Sequence, residues 1–473
     1  MIDTKKFPDD SSENRLRLYG RYEKLLSGDH FSVYAKHKEF LGDYNRLRYL
    51  VANFAGLISK VMADVLFGEK VQVQTGEDKS QEFIDALFEH NDLNSQFYES
   101  SLMNSARGDA LFRVRVEDEE IKIEDINPAM YFPNISENYR QEPKTKTLAW
   151  REDHGGHNYL VKEIHSVGKI EMQAFLMKSK DDNTIVNKVP LDDYNLLSGH
   201  DYEETQETGI DEIPIVHIPN YRIKNEYWGL SDYGDLETLF LALNNRITKI
   251  DNILDKHSDP ILAIPEGILD EDGNVRKEAL GLIEKGADGD VPEYIVWNAN
   301  LDSAFKEIDE IVKMLFLISE VSPDVVGLDT GRASAESGRA LKLRMVRTLA
   351  KKNRKSLYYE DGLKKVFRLA GKFASNGYMV GGKKYKVKDI SPTIRFADGV
   401  IDDKVEEISL ETTKLEAGLT TRARSLAVLE DMGVSDAEEI IKNVDEEKNN
   451  KGDFDANKLF DNGRRLINDG EAT

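Results

Sequence analysis

The chain of 473 residues contains no cysteine. This absence excludes disulfide bonds, thiolate metal sites and cysteine nucleophiles. Unbroken apolar runs are also short, as in Met314–Ile318, and none reaches the length of a membrane-spanning helix. The first 20 residues hold no apolar core segment, so we expect no signal peptide. These features are typical of a protein of a reducing compartment, or of an assembly that does not rely on redox chemistry, with no membrane partner.

The chain also has fewer positively than negatively charged residues. Lysine and arginine number 64 against 87 acidic residues, which gives a formal net charge of −23. Proteins that coat nucleic acid usually carry an excess of positive charge, so this balance argues against that class. It is compatible with a protein that surrounds nucleic acid without gripping it. Apolar residues make up 40% of the chain, enough for folded cores in about three domain-sized units.

A glycine-rich segment, "SPDVVGLDTGRASAESGRALKLRM", has some features of a phosphate-binding loop. Such a loop needs four residues between its glycines, then Lys and Ser or Thr, after a buried strand. Here only three residues separate Gly327 from Gly331, Arg332 follows, and the preceding segment has a helical pattern. The spacing therefore indicates a flexible connector between two helices and not a nucleotide site.

Other candidate motifs are also incomplete. The acidic stretch Asp270–Asn274 has its glycine in the wrong place for an EF-hand, so we interpret it as an acidic turn. The "HGGH" motif at His154–His157 lacks the glutamate and the helix of a zinc protease, and we interpret it as a surface loop. No nucleophile motif such as G-x-S-x-G appears. We therefore expect no enzymatic activity, no cofactor and no bound metal.

The first half of the chain has an α+β pattern. Apolar residues at helical spacing predict a helix over Tyr44–Gly68. The alternating segments Leu111–Val116 and Ile121–Ile126 flank the turn "EDEE" and predict a β-hairpin. Further short strands are expected up to about Tyr221.

Two helices with narrow apolar seams follow. A helix capped by Ser231 and a second helix from Leu301 each carry apolar residues at alternating spacings of four and three. The stripe on such long helices needs neighbours to cover it, which favours an oligomer. Between them lies a small α/β insert with strand candidates "PILAI" and "EYIVW". The seam residues that we expect to pack the helices are Leu236, Phe240, Leu243, Ile247, Phe305, Ile308, Val312 and Leu315.

A basic stretch lies on the long helix predicted after the glycine-rich connector. Eleven cationic and only two acidic residues fall between Arg339 and Arg368, which gives +9 in 30 residues. At helical spacing, such a stripe can contact DNA phosphates, meet an acidic surface of another subunit, or face water. The sequence leaves these three alternatives open for Lys342, Arg344, Arg347 and Lys351.

The order of these segments resembles the portal proteins of tailed bacteriophages, of the kind found in long-tailed phages of Gram-positive hosts. The resemblance covers nearly the whole chain. It is carried by "NFAGLISKVMADVLFGEKVQV", "ARGDALFRVRVEDEEIKIEDINPAMYFP", "WGLSDYGDLETLFLALNNRITKIDNILDKHSDPILAI", the glycine-rich segment and "PTIRFADGVIDDKVEEISLETTKLEAGLTTRARSLAVLEDMG".

The resemblance implies a mainly helical α+β portal fold with wing, stem, clip and crown regions. The implied regions are a wing at 1–227, stem helices at 228–257 and 300–320, a small α/β clip at 258–299, a tunnel loop at 321–334, a long wing helix at 335–376, wing return strands at 377–404, and a crown with the C-terminal tail at 405–473.

The implied function is a ring, of twelve subunits, at one capsid vertex of the virion, assembled in the host cytoplasm. Such a ring conducts double-stranded DNA during genome packaging and ejection. Its implied partners are the terminase large subunit, a head-completion or adaptor protein, and the major capsid and scaffolding proteins. The residues expected to face DNA in the tunnel loop are Asp324, Val325, Val326, Leu328, Asp329, Arg332 and Arg339, and those expected to meet partners on the clip are Glu266, Asp270, Glu271 and Asp272.

Two other functions compete with this interpretation. A DNA-binding regulatory or packaging-associated protein would use the basic helix 339–368 to grip the duplex. A packaging NTPase would need a phosphate loop or a carboxylate metal cluster on a central sheet, and neither pattern is seen in the sequence.

Overall fold

The computed structural model describes residues 6–35, 48–136, 142–223, 226–257, 261–263, 293–295, 301–328, 342–387, 390–397, 404–430 and 432–451. The chain divides into two compact units, one of residues 1–334 with 343–399 and one of residues 335–342 with 400–473. Among the described residues, no helix combines the length and the apolar character needed to cross a membrane.

The larger unit contains most of the helices. They are α1 (Asp10–Leu26), α2 (His30–Tyr34), α3 (Phe54–Phe67), α4 (Asp78–His90), α5 (Leu93–Arg107), α6 (Leu191–Ser198), α7 (Glu237–His257), α8 (Asp302–Ser319) and α9 (Val346–Ser375). The helices of the smaller unit are α10 (Lys404–Glu416), α11 (Arg422–Leu429) and α12 (Val434–Lys451).

In the residues that the structure describes, the strands form four sheets, all in the larger unit. They are β1 (Gln72–Gln74), β2 (Asp109–Glu117), β3 (Glu120–Asp125), β4 (Tyr131–Pro133), β5 (Lys146–His154), β6 (His157–Ser166), β7 (Lys169–Ser179), β8 (Asp182–Val189), β9 (Thr205–Glu207), β10 (Ile215–Pro219), β11 (Ile261–Ala263), β12 (Glu293–Ile295), β13 (Met379–Val380), β14 (Lys383–Lys384) and β15 (Thr393–Arg395). One sheet has the order β10-β2-β3-β13-β14, and another has the order β4-β5-β6-β7-β8 with β9 paired to β7. β1 pairs with β15, and β11 pairs with β12.

The hairpin expected around "EDEE" is present. β2 and β3 pair in antiparallel register, with Glu117 opposite Glu120. Asp118 and Glu119 form the two-residue turn, and both have positive φ, as the twist of a tight hairpin requires. The strands β11 and β12 also lie within the two segments expected to be strands in the insert.

Helix α3 begins later than the sequence pattern predicts. The predicted helix began at Tyr44, but Leu50 and Val51 precede α3, whose first residue is Phe54. The Asn53 side chain caps α3 by accepting a 2.9 Å bond from the Gly56 N–H. The N–H of Ala52, just before that cap, donates instead to a side chain on α7. The helix predicted from the apolar spacing is therefore present, but these tertiary hydrogen bonds hold residues 50–52 outside it.

Two glycines allow the chain to cross itself between α5 and the segment that leads into α7. Gly108 ends α5 with φ of 94°, and a Cβ there would lie 2.7 Å from the Gly229 carbonyl oxygen. A Cβ at Gly229 would lie 2.0 Å from the Gly108 carbonyl oxygen. Only glycine fits at such a close backbone approach. The crossing sets where the segment before α7 lies against β2.

Two hydrophobic cores organise the larger unit. The first lies between the β10-β2-β3-β13-β14 sheet and helices α4, α5 and α9, and includes Phe97, Phe112 and Phe367. The second joins α1, α3, α7 and α8 around Met62, Phe240 and Leu315. The fold is therefore the expected mainly helical α+β architecture.

In the smaller unit, Thr421 caps α11 by accepting a 3.3 Å bond from the Arg424 N–H. Arg422 pairs with Asp445 of α12 at 3.1 Å. Ala427 and Ala437 are buried between the helices. The assignment of this region to a crown stays a prediction.

Candidate functional site

The segment between α8 and α9 is the predicted tunnel loop, and its first half has a defined structure. Glu320 ends α8 in the left-handed region with φ of 59°. Ser322 then caps a short 3₁₀ helix, Pro323–Val326, and its own N–H donates to Oγ1 of Thr348 on α9 at 2.7 Å. Gly327 follows with φ of 71°. The base of the loop is therefore hydrogen-bonded to α9. Gly327 adopts the backbone conformation for which the sequence analysis expected a glycine.

The apolar residues of the loop do not share one environment. Val325 and Val326 are partly buried against the second hydrophobic core, whereas Leu328 is 49% exposed. Asp324 lies 3.5 Å from Arg344. The remaining predicted loop residues, Asp329, Arg332 and Arg339, lie outside the described residues. The contact of this loop with DNA stays a prediction, for which Leu328 is the exposed apolar candidate.

The basic stretch bonds to acids of its own chain. Lys342 is half-buried, and Arg347 is exposed yet lies 2.8 Å from Glu320. For the described cations with a defined contact, the partners are Asp324 for Arg344, Glu320 for Arg347 and Arg354, Asp232 for Lys351 and Lys355, the Ala397 carbonyl oxygen for Lys352, Glu360 for Lys364, Glu142 for Lys365 and Glu212 for Arg368. Much of the +9 charge is therefore neutralised within the subunit.

A buried carboxylate, Asp232, is the centre of this arrangement. Its oxygens lie 2.5 Å from Nζ of Lys355 and 3.1 Å from Nζ of Lys351, and both lysines are buried. Ser105 of α5 donates to it at 2.6 Å, and the Asn220 amide donates at 3.1 Å. One carboxylate therefore joins α5, the segment before α7, and α9.

The charges of this cluster depend on each other. Burial alone would raise the pKa of Asp232, but the nearby ammonium groups of Lys351 and Lys355 hold that pKa well below its ordinary value. Burial lowers the pKa of Lys355 to about 8, although Asp232 opposes that shift. The carboxylate and the ammonium groups stabilise each other's charged forms. Removal of Asp232 would therefore leave the two cations of Lys351 and Lys355 in the interior without their counter-ion.

The same aspartate explains where α7 starts. The sequence predicted that Ser231 would cap the helix, but the helix begins at Glu237. Ser231 instead accepts a 3.0 Å bond from the Tyr233 N–H in a turn. The side chains of Asp232 and Tyr233 both enter the interior, where Tyr233 donates to the Ala55 carbonyl oxygen at 2.9 Å. These contacts hold residues 231–236 in turns and delay the helix.

The seam residues of α7 and α8, the two helices predicted to form a stem, are covered largely within the chain. Phe305 is the exception, since 49% of its surface is exposed. Those in the second hydrophobic core are Leu236, Phe240, Leu243 and Leu315, which are buried, and Ile247, Ile308 and Val312, which are partly buried. α1 and α3 supply the cover that the sequence analysis expected from neighbours. The clip residues Glu266, Asp270, Glu271 and Asp272 lie outside the described residues.

A family model described as "Phage portal protein, SPP1 Gp6-like" matches residues 9–452. The chain belongs to this portal protein family. Membership makes it a phage portal protein, a component of the virion at its portal vertex. A comparison with curated proteins finds no match.

Among solved structures, the portal protein is similar to a chain in the virion of a native gene transfer agent particle. That chain has 13% sequence identity and a TM-score of 0.42, with 79% of this chain and 88% of that chain covered. A chain in the neck of the empty particle, computed with C6 symmetry, has 13% identity and a TM-score of 0.39, with 80% and 88% covered. One in the neck of the native particle, computed with C12 symmetry, has 13% identity and a TM-score of 0.40, with 79% and 87% covered.

Sequence reasoning missed the ion pairs of the portal protein's basic helix. It weighed DNA, a neighbouring subunit and water as partners, whereas Lys351 and Lys355 contact Asp232 of the same chain. The available signal was the spacing of Lys351 and Lys355, which lie eight and four positions before the aromatic Tyr359 and so share its side of α9. An aspartate more than a hundred residues away could not be matched to it from one sequence.

We expect the isolated portal subunit to bind short duplex DNA no more tightly than a Kd of about 10⁻⁵ M at physiological salt. The reason is that most of the cations of α9 are paired with acids of the same chain, while the chain as a whole carries −23. Fluorescence anisotropy of a labelled duplex, titrated at two salt concentrations, measures this affinity. Submicromolar binding that is lost in an Arg347→Glu, Arg354→Glu variant would instead favour the DNA-gripping alternative.

Proposed function

We propose that copies of this portal protein form a ring of twelve subunits that conducts double-stranded DNA during packaging and ejection. The match to the portal family over residues 9–452 carries the proposal. In the same proposal, residues 258–299 form the clip that docks the terminase large subunit and later a head-completion or adaptor protein. The major capsid and scaffolding proteins are the proposed partners around the ring, and the protein itself performs no catalysis.

An exposed apolar face on α8 supports assembly. Met314 and Ile318 are about half exposed, and Leu317 is 76% exposed. Leu317 and Ile318 lie three and four positions after Met314, so the three side chains share one side of the helix. Soluble monomers rarely leave such a stripe uncovered, and a second copy of the chain would cover it.

The charge of the stem helices supports a conduit that does not grip its passenger. Four acids of α8 are exposed, namely Asp302, Glu307, Asp309 and Glu310, against two exposed lysines, Lys306 and Lys313. Two of the acids are paired, Glu307 with Arg246 and Glu310 with Lys313. Each cation that neutralised a DNA phosphate would add salt-dependent affinity and therefore drag. Acidic walls repel the phosphates and let the duplex slide.

Electron microscopy of the purified full-length protein tests the assembly. We expect rings with a central hole, with twelve subunits visible in averaged top views. The mass of the assembly, measured by light scattering, provides an independent subunit count. A uniform monomer in both measurements, across the accessible concentration range, would contradict the proposed function.

Shortening the tunnel loop tests the conduit. Val325 and Val326 contribute to the subunit core, so we would delete residues 328–332 and leave the valines in place. We expect normal rings but reduced packaging or retention of DNA, because the groups nearest the duplex are removed. DNase-protected DNA per particle measures the effect. Leu343→Ala, an exposed apolar truncation on the basic segment beyond the loop, is the matched control. Unchanged DNA content in the deletion variant would remove the loop from the mechanism.

A further inference from the structure

We propose that Glu152, His154 and His200 form a binding site for one Zn²⁺ ion per subunit, at the end of the β4-β5-β6-β7-β8 sheet. These three residues are the group in the described part of the chain whose ligand atoms all lie within 4.8 Å of one another. The proposal is argued from these residues alone and does not rest on ring assembly or on a DNA channel. It includes the first histidine of the "HGGH" motif, which the sequence analysis interpreted as a surface loop.

The fold brings the three residues together from two places. Glu152 and His154 are two positions apart on β5, so their side chains lie on the same face of the sheet. β5 and β6 are joined by Gly155 and Gly156, both with positive φ, so the "HGGH" segment is a tight hairpin. Helix α6 ends at Gly199, whose φ of 77° turns the chain back so that His200 reaches Glu152.

The distances suit a small cation after modest side-chain rotations. Oε2 of Glu152 lies 2.8 Å from Nε2 of His154 and 3.2 Å from Nε2 of His200. Ligands that bind zinc tetrahedrally at about 2.0–2.1 Å lie about 3.3 Å from one another. Oε2 of Glu152 therefore needs to move away from each histidine nitrogen by only about 0.5 Å or less for an ion to bind between them.

The donor set selects the class of metal. Two imidazole nitrogens and one carboxylate oxygen match the three protein ligands of many open zinc sites. Mg²⁺ and Ca²⁺ prefer oxygen ligands, so they fit this set poorly. The His200 side chain is 39% exposed, which leaves the fourth coordination position to water.

Neighbouring groups already orient the carboxylate. The Trp150 indole N–H donates to Oε1 of Glu152 at 2.6 Å, and the Tyr194 hydroxyl donates to Oε2. Tyr202 stacks on the His200 ring with centroids 4.7 Å apart. Such outer contacts fix the orientation of metal ligands and strengthen binding. An ion would replace the proton that each histidine shares with Glu152, and Trp150 and Tyr194 would keep their bonds.

Bound zinc would tie the chain after α6 to the β5–β6 hairpin. Without the ion, His200 is held by a single 3.2 Å hydrogen bond and by ring stacking. With it, two segments more than 40 residues apart share a coordination bond, which would stabilise this end of the sheet. The expected role is structural, since the proposal includes no bond-breaking step.

Isothermal titration of the untagged full-length protein with ZnCl₂ tests the site. An affinity tag rich in histidine must be absent, because it would bind zinc itself. We expect one ion per chain, and we expect His154→Ala and His200→Ala each to weaken binding at least tenfold. His157→Ala is the matched control, because His157 is exposed on the same hairpin but lies outside the cluster. Its affinity for zinc should equal that of the unmodified protein.

Two further measurements complete the test. Co²⁺ in place of zinc should give the visible absorption of a tetrahedral nitrogen and oxygen site in the wild type and the His157→Ala variant only. Zinc should raise the thermal midpoint of the wild type, and MgCl₂ should not. Equal weakening in all three histidine variants, or unchanged binding in His154→Ala and His200→Ala, would overturn the proposal. If His154→Ala fails to fold, the more exposed His200 decides the outcome.

Discussion

Replacing Asp232 with alanine is expected to lower the free energy of unfolding by about 3–5 kcal/mol. The substitution leaves Lys351 and Lys355 buried without their shared carboxylate, and it removes the acceptor for Ser105. Urea denaturation at fixed protein concentration, followed by circular dichroism, measures the change.

Two further variants make this expectation specific. Asp235→Ala removes an exposed carboxylate three residues away, and we expect it to change stability by no more than about 0.5 kcal/mol. Adding Lys355→Met to Asp232→Ala should recover part of the loss, because one of the stranded cations is then removed. An Asp232→Ala variant as stable as Asp235→Ala would mean that the cluster does not hold α9 to the segment before α7.

Leu315→Asp is expected to destabilise the subunit by more than about 4 kcal/mol and so to prevent folding. Leu315 is fully buried in the core shared by α1, α3, α7 and α8, where an aspartate would have no partner. Leu243→Asp on α7 should have the same effect, since it lies in the same core. The yield of soluble protein and its thermal unfolding curve report the result.

Leu317→Asp is the matched comparison, because Leu317 is two residues away and 76% exposed. We expect this variant to fold normally, with a change in stability within about 0.5 kcal/mol, but to fail to form rings. The pair therefore separates folding from assembly on one helix. Normal rings from Leu317→Asp would show that the exposed face of α8 is not the contact between subunits, whereas a folded Leu315→Asp subunit would contradict the assignment of the core.

Much of the local structure was predictable from the sequence. The hairpin at Asp118 and Glu119 follows from alternating apolar residues on both sides of a charged turn. A helix was expected at 300–320, and α8 spans Asp302–Ser319, whereas its role as a stem helix stays a prediction. The lack of a Lys-Ser/Thr pair after Gly331 excluded a phosphate loop without any structure. These features are short in sequence, so their physical causes lie within a few residues.

The contacts between segments were not predictable in the same way. The apolar stripes of α7 and α8 correctly indicated buried side chains. They did not indicate whether α3 or another subunit packs against those side chains. The "HGGH" motif was interpreted from its own four residues, whereas His200 joins it through the turn after α6. Because the chain has 87 acidic residues, each lysine has many candidate partners, and its ion pair cannot be identified from composition alone.

The sequence by itself determined the periodicity of the helices and strands, the order of the segments, the acidic balance and the absence of cysteine chemistry. The ordered segments that resemble portal proteins also lie in the sequence, and the family model that matches residues 9–452 shows the membership. The tertiary structure decided which charges meet, where α3 and α7 begin, and which apolar face of α8 stays exposed. The physical reason is the distance along the sequence over which each interaction acts. A helical or strand pattern depends on residues a few positions apart, but Lys355 and Asp232 are 123 positions apart and meet only when both cores have formed.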